Sequence, residues 1–475
     1  MRMKNIQMSL LDIYNSIEER LTNDKPELFK LLDEHLDWDE IIPNTFYNAF
    51  YQRLGRNRDY ELESFMRALF LQRIFHYIED SQLLNTLRFS YEMRDYCRFD
   101  KVPDASKLTR FKQDFCNHIR AVFERLVDLT EPICREMDKA LADLLVYDTT
   151  GIESYVSENN PKFFRLKEQQ SKYITKIDPS FDPPSGAAAL IPKVAASNSA
   201  VKLQYINGHF CYAQKAAVIT NGLGIVRHLE LFDEDFKRVH PEMKIEKRTS
   251  YPKIDKEIGD STSLKPVLLD FRAAHIDFRY GVFSADAAFD TYDNYEFLMK
   301  EYHFTKAAVP LNPRRGLPSP DIGFNENGTP LCPKDGKPFA FHGLCGGAHR
   351  SRRLKFVCPG SRRVGTTMVN RCVTPCTSSA FARCAYVYPH KDFRLYPGLS
   401  RDSEEFAQIY NHRAAVERSI NTLKDTLGIQ NRKTSNVLTT KADLFLAGIV
   451  QLLCVLLAHK LHDIKLARRP RRLIA

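Results

Sequence analysis

Three carboxylates in this 475-residue chain are spaced for shared chemistry: Asp148, Asp286 and Glu417. Asp148 follows the apolar run Leu144-Leu-Val-Tyr147, and Asp286 follows Tyr280-Gly-Val-Phe-Ser284. Both therefore leave the ends of short buried strands. Glu417 lies in Tyr410-Asn-His-Arg-Ala-Ala-Val-Glu-Arg-Ser-Ile-Asn-Thr-Leu-Lys424, which reads as one helix. At 100° per residue, Tyr410, Arg413, Glu417 and Lys424 share an arc of roughly 60°. Ile409, Val416, Ile420, Leu423 and Leu427 fill the neighbouring arc and can enter a core. Singly, each acid has a bland reading. Asp148 and Asp286 are of the kind that close turns through their own backbone, and Glu417 is an ordinary solvated helix acid. Together they are hard oxygen ligands for Mg2+ or Mn2+, the ions that drive phosphodiester cleavage by activating water or a 3′-hydroxyl. Arg413 and Lys424, beside Glu417, suit the phosphates of bound DNA.

Those acids need an α/β layer to hold them. After Ala142 the pattern runs strand, β-hairpin, helix, strand, helix, strand, which builds one mixed sheet flanked by helices. The hairpin is marked by Asn221-Gly222 between two β-rich runs. Residues 142–311 form this first part of the core, with 156–203 read as a long loop because Asn160-Pro161, Asp178-Pro179 and Asp182-Pro-Pro-Ser-Gly186 break periodicity. Residues 1–141 read as an all-helical N-terminal domain. Its turn at Phe99-Asp-Lys-Val-Pro-Asp104 is capped by Asp104 or Ser106, and its last helix runs through Phe123, Leu126 and Ile133. Short helices with Arg94, Arg98, Lys107, Arg110 and Lys112 suit DNA binding in the helix-turn-helix manner and suit a plain bundle equally well. Residues 312–398 interrupt the layer, 399–462 return helices carrying the third acid, with Asp402 or Ser403 as N-cap, and 463–475 form a basic, fraying tail.

Charge and cysteines narrow the class. The formal net charge is +10, and residues 312–401 hold 15 Lys and Arg against 4 Asp and Glu, so the excess sits in one segment. That placement favours a polyanionic partner over a uniformly solvated surface. Eleven cysteines, an odd number, and no apolar stretch between Met1 and Tyr14 argue for a reducing compartment without a secretory signal. Leu444–Ala458 contains Gly448 and Gln451 and reads as a buried helix rather than a membrane span. Six cysteines fall in the insertion: 332, 345, 358, 372, 376 and 384. Cys332-Pro and Cys358-Pro resemble metal knuckles. With Cys372, Cys376 or Cys384 they offer a structural Zn2+ site, set against free buried thiols.

Tyr410, two residues, Arg413, three residues, Glu417, six residues, Lys424 resembles the Tyr-Arg-Glu-Lys signature of bacterial insertion-sequence transposases of the DDE class. Val146-Tyr-Asp148-Thr-Thr resembles the first-acid strand of that family, and Ala285-Asp286-Ala-Ala-Phe-Asp its second-acid segment. Phe99 to Phe115 resembles its helical N-terminal domain. The resemblance implies an RNase H-like core in which Asp148, Asp286 and Glu417 ligate Mg2+ or Mn2+, and Tyr410, Arg413 and Lys424 contact transposon-end DNA. It implies cleavage at terminal inverted repeats, strand transfer into target double-stranded DNA, a homodimer on DNA and a bacterial cytoplasmic setting without a membrane. One departure is Ala-Ala-Phe after Asp286, where part of the group has an Asn-Thr-Phe-like sequence, which leaves the end-processing route open. An inactive DNA-binding derivative and an RNase H-like nuclease that cuts without joining are the alternatives.

Overall fold

In the computed structural model the backbone divides into two units, residues 1–133 with 422–475, and residues 134–421. The structure describes residues 9–11, 14–15, 26–51, 57–178, 190–206, 209–243, 258–315, 322–347, 349–390, 392–430 and 432–474. The Asp182–Gly186 breaker run and most of the Met1–Tyr14 segment lie outside these.

The first unit is helical. Its central element is Val437–Lys460, capped by Asn436, whose side chain accepts from the Thr439 N–H. This helix is long and apolar enough to cross a membrane, yet 89% of its most apolar window is buried inside the structure. It buries polar groups too. Asp443 accepts from Arg432 Nε at 2.9 Å and pairs with Lys112 at 3.2 Å and with Arg73. Asp80 pairs with Lys112 and Arg432, each at 2.9 Å. Three cations on the buried Asp443 and the partly buried Asp80 thus join Leu62–Ile74, Asp80–Phe89 and Ala105–Asp114 to the long helix. Asp104 caps the last of these, accepting from the Lys107 N–H at 2.9 Å. The tail is not frayed: it turns twice in 3₁₀ form, at Leu466–Arg468 and Pro470–Leu473, and buries Leu466 and Ala467.

The second unit is built on a seven-stranded mixed sheet in the order β2-β3-β4-β1-β6-β7, with β5 also paired to β4. The strands are β1 (Leu144–Glu153), β2 (Val194–Ala195), β3 (Asn198–Ile206), β4 (His209–Asn221), β5 (Val226–Leu231), β6 (Val282–Ser284) and β7 (Lys306–Ala308). β1, β6 and β7 are parallel, and the other pairings are antiparallel. The expected Asn-Gly turn joins β4 to β5, with the Asn221 side chain accepting from the Ile225 N–H at 3.1 Å.

Three local readings are corrected. β1 does not stop at Tyr147, because β4 pairs with it as far as Glu153, so Asp148 lies within the strand. The supposed loop 156–203 contains a 17-residue helix, Pro161–Ile177, whose N-cap Asn160 accepts from the Lys162 N–H. Asn-Pro there starts a helix, since proline at the first position lacks only an N–H that would be orphaned anyway. Phe163 and Phe164 of that helix pack on Ile191, Val201 and Tyr212. The helix at Tyr410–Lys424 is broken as well. Glu404–Asn411 ends, Ala414–Asn421 follows, and Thr422–Thr426 is a π-turn. Across the break the N–H groups of His412, Arg413, Ala415 and Val416 bond three residues back, the tighter pattern of a 3₁₀ turn.

Residues 312–398 carry a second, three-stranded sheet in the order β12-β9-β8 and a hairpin β10-β11. These are β8 (Ala340–Gly347), β9 (Arg350–Val357), β10 (Ser361–Val364), β11 (Thr367–Asn370) and β12 (Cys384–Val387).

Candidate active site

Strand register brings the first two acids together. Val146 of β1 is opposite Ser284 of β6 in a parallel ladder. Asp148 and Asp286 each lie two residues further on, and side chains two apart share a face. β6 ends at Ser284 while β1 continues to Glu153, so both acids sit where the parallel pairing opens, Asp148 within β1 and Asp286 just past the end of β6. Backbone N–H groups fix them: Thr149 donates to Asp148 Oδ1 at 2.8 Å, and Ala288 donates to Asp286 Oδ1 at 2.8 Å. Each aspartate thus closes a turn through one oxygen and still has a second oxygen to offer. Asp290, four residues past Asp286, is fully buried. It is held by Arg394 at 2.9 Å, the Asn312 N–H at 2.7 Å and the Tyr295 hydroxyl at 3.1 Å, which makes it a structural acid.

The third acid arrives on the Ala414–Asn421 helix. Ala415, Val416, Ser419 and Ile420 are its buried side. Gly224, at φ +82°, seats this helix against the turn after β4: a Cβ there would lie 3.2 Å from the Ala415 carbonyl oxygen and 3.6 Å from its Cβ. The left-handed conformation favours glycine, and any side chain there would also press on the Ala415 carbonyl.

Arg413, in the break between the two helices, reaches all three acids. Its guanidinium lies 2.6 Å from Glu417 Oε1, 3.4 Å from Asp148 Oδ2 and 3.9 Å from Asp286 Oδ2. Its Nε is enclosed without a hydrogen-bond partner among the described residues. Burial opposes the guanidinium charge, but Asp148 and Glu417 outweigh it and raise the Arg413 pKa. Asp148 is pushed up to about 6, first by burial and then by the charges of Asp286 and Glu417, with Arg413 and the Thr149 N–H pulling the other way. The side chains grow more exposed from Asp148 (17%) through Asp286 (37%) to Glu417 (51%). The donor set, three hard carboxylates already gathered on one cation, fits a divalent ion such as Mg2+ or Mn2+.

Tyr410 stacks on Phe406 at 5.7 Å and packs with it on Ala308 and Leu399. Burial first, then the nearby acids, raises its pKa, with Arg413 opposing. Lys424 falls in the other unit and is only 7% exposed. Arg350, Arg352, Arg362 and Arg363 of the insertion are exposed. Phe341 and Tyr386 share that subdomain at 61% and 41% exposure, and Arg353 lies 4.5 Å over the Tyr386 ring. Cys332 and Cys358 share one buried cluster of the insertion, and Cys372 lies against Gly360. A mixed group that sequence spacing did not suggest is Glu153, His209 and Cys211, whose donor atoms lie within 4.8 Å of one another. The signal existed: His209 and Cys211 alternate along one strand, and the antiparallel partner supplies Glu153.

Residues 15–114 match the family model described as Transposase domain (DUF772). No curated protein matches the chain. Among solved structures, the chain is similar to a piggyBac transposase in a cryo-EM synaptic complex with hairpin DNA. The identity is 12% and the TM-score 0.36, over 94% of this chain and 78% of that one. The domain match supports a transposase role and covers helices of the first unit, whereas the three acids belong to the second.

Proposed function

We propose that the chain is a DDE-type transposase that binds the terminal inverted repeats of an insertion sequence, cleaves DNA strands there and joins them to target DNA. The observation that carries this reading is the meeting of Asp148, Asp286 and Glu417 on a single guanidinium. They come from β1, from the turn that follows the parallel β6 and from a helix, each more than a hundred residues apart in sequence. A RNase H-like core is the fold the resemblance implies for such an arrangement.

Asp148, Asp286 and Glu417 are the residues that would hold Mg2+ or Mn2+. Those ions supply Lewis acidity to the scissile phosphate and a more acidic attacking water or 3′-hydroxyl. The rest is done by the chain. N–H bonds from Thr149 and Ala288 fix one oxygen of each aspartate, so the carboxylates are preorganised rather than swinging. Arg413 offsets their mutual repulsion in the free chain, and its planar fork suits a phosphate of bound DNA. Tyr410, held by its stack on Phe406, borders the same acids, and Lys424 is assigned to end DNA by its place in the signature. The exposed arginines of 312–398 and the helical first unit supply the sequence-independent and end-binding contacts. Two copies on paired ends are the expected working form.

The test is cleavage of DNA carrying the flanking inverted repeats, with Mg2+ and with EDTA. The reading expects metal-dependent nicking at the repeat boundary, lost in Asp148→Ala and in Glu417→Gln while end binding survives. Wild-type activity in Glu417→Gln would remove Glu417 from the centre. Cleavage without joining would leave a nuclease, and binding without cleavage an inactive derivative.

A further inference from the structure

The insertion between β7 and the Glu404–Asn411 helix carries chemistry that DNA cleavage does not use. Its buried cluster centres on Phe339, Leu354 and Phe356 and includes Cys332 and Cys358. A core of that size stabilises a subdomain weakly, and small folds commonly add a disulfide or a metal. Cys332, Cys358, Cys372 and Cys376 carry free thiols, the form in which cysteine can ligate a metal.

Backbone geometry collects the thiols. β10 and β11 pair Ser361 with Asn370 at the base of their hairpin, so Cys358 and Cys372 flank that base just outside the ladder. The Arg371 N–H donates to the Gly360 carbonyl at 3.1 Å and extends it. The Gly360 N–H points at Cys358 Sγ, 3.4 Å away. A Cβ at Gly360 would lie 2.9 Å from the Cys372 Cβ, so only glycine lets the two turns touch. Cys332 opens a second, wider turn: the Gly336 N–H donates to its carbonyl at 2.9 Å, and Gly336 has φ +68°. Cys376 follows Cys372 after three residues, within the usual ligand spacing of structural zinc sites. Cys332 and Cys358 share one buried cluster, and burial, then the charges of Cys332, Cys372 and Cys376, raise the Cys358 thiol. Cys384 is opposite Val357 in the sheet and so shares the face of Val357, not that of the residue after it.

We propose that Cys332, Cys358, Cys372 and Cys376 bind one structural Zn2+ as a four-thiolate site that clamps the two Cys-Pro turns to the base of the β10-β11 hairpin. Binding displaces the thiol protons to solvent, so the affinity rises with pH. Glu153, His209 and Cys211 are the rival zinc ligands, but His209 is 55% exposed and is already hydrogen-bonded to Glu153 at 3.2 Å.

The experiment is metal analysis of the full chain, purified without chelator, followed by replacement of the metal with Co2+. Expected are about one zinc per chain, kept in His209→Ala and lost in Cys358→Ser/Cys372→Ser, and the intense visible and sulfur-to-cobalt bands of a tetrahedral thiolate site. Because the cysteine variant can misfold, the unmodified chain supplies an independent count: a mercurial that frees the zinc should consume about four thiols per ion. A zinc-free protein, a disulfide among these cysteines, zinc lost in His209→Ala, or a count of one thiol per ion would each overturn the site.

Discussion

At the scale of single residues, the central tension is Asp148, an acid held in a partly buried place beside two others. Its carboxyl titrates near 6 in the folded chain, against roughly 3.9 when unfolded. A raised acid pKa means that the folded state binds the extra proton between those values. The group therefore costs stability progressively as pH rises from about 4 to 6, and the whole cost is present at pH 7. Asp148→Asn should remove it and raise stability at pH 7 by on the order of 1–3 kcal/mol, while abolishing cleavage. Urea melts of the two proteins at pH 7 measure this, and a less stable variant would contradict it. The same proton competes with a ligated cation. Cleavage should fall as pH drops through about 6, and more Mg2+ should shift the midpoint to lower pH, since metal and proton contend for one oxygen. A midpoint indifferent to Mg2+ would detach Asp148 from the metal.

Elements explain why some of this was legible in sequence and some was not. The two aspartates could be read because each closes an apolar run, but Asp148 lies inside β1, since β4 continues past the point where β6 stops. The helix carrying Glu417 could be read from its apolar period. Its break at His412–Arg413 could not, because neither glycine nor proline marks it, and it is this break that sets Arg413 among the acids. Asn160-Pro161 was ambiguous, being both a breaker and a helix start. Ser403, not Asp402, caps the Glu404–Asn411 helix, accepting from the Phe406 N–H at 3.1 Å, and Asp402 instead accepts from Asn327 at 2.6 Å. Gly224 gave no functional signal, yet it lets the Glu417 helix approach. Gly224→Val should cost about 1–3 kcal/mol through strain and overpacking and slow cleavage more than it weakens end binding. A variant with unchanged melting temperature and rate would show that the helix is seated otherwise. In the first unit, Asp443 is fully enclosed by Arg73, Lys112 and Arg432. Burial opposes its charge, but these cations hold its pKa below the usual range, so its stabilisation is present above about pH 4 and fades as pH falls through the lowered pKa. Asp443→Asn should destabilise the chain by about 3–5 kcal/mol, because Arg73 remains buried without its acid and Lys112 and Arg432 are left to share Asp80. A loss under 1 kcal/mol in denaturant melts would mean that they find other partners.

For the molecule as a whole, charge distribution says more than net charge. The segment 312–401 carries all of the formal excess, the rest of the chain being near neutral, and in the structure it becomes strands and turns that show arginines beside exposed aromatic rings. This segment is tied to the catalytic layer by buried pairs: Arg394 with Asp290 at 2.9 Å, and Arg401 with the Val309 carbonyl and the Tyr295 hydroxyl at 2.8 Å each. Arginines spent on those contacts are unavailable to DNA, so the count of basic residues in the sequence overstates the binding surface. Arg350, Arg352, Arg362 and Arg363 remain exposed. Each phosphate they neutralise releases counterions, adding about 0.9 to the slope of log affinity against log salt. Replacing all four with serine should flatten that slope by about 1 to 4 and weaken binding of end and unrelated DNA alike, since phosphate contacts do not read sequence. The melting temperature should stay put, because none of the four is buried. Filter binding across a salt series separates the outcomes. An unchanged slope would free this face from DNA, whereas a loss confined to the inverted repeat would make it a reader of bases.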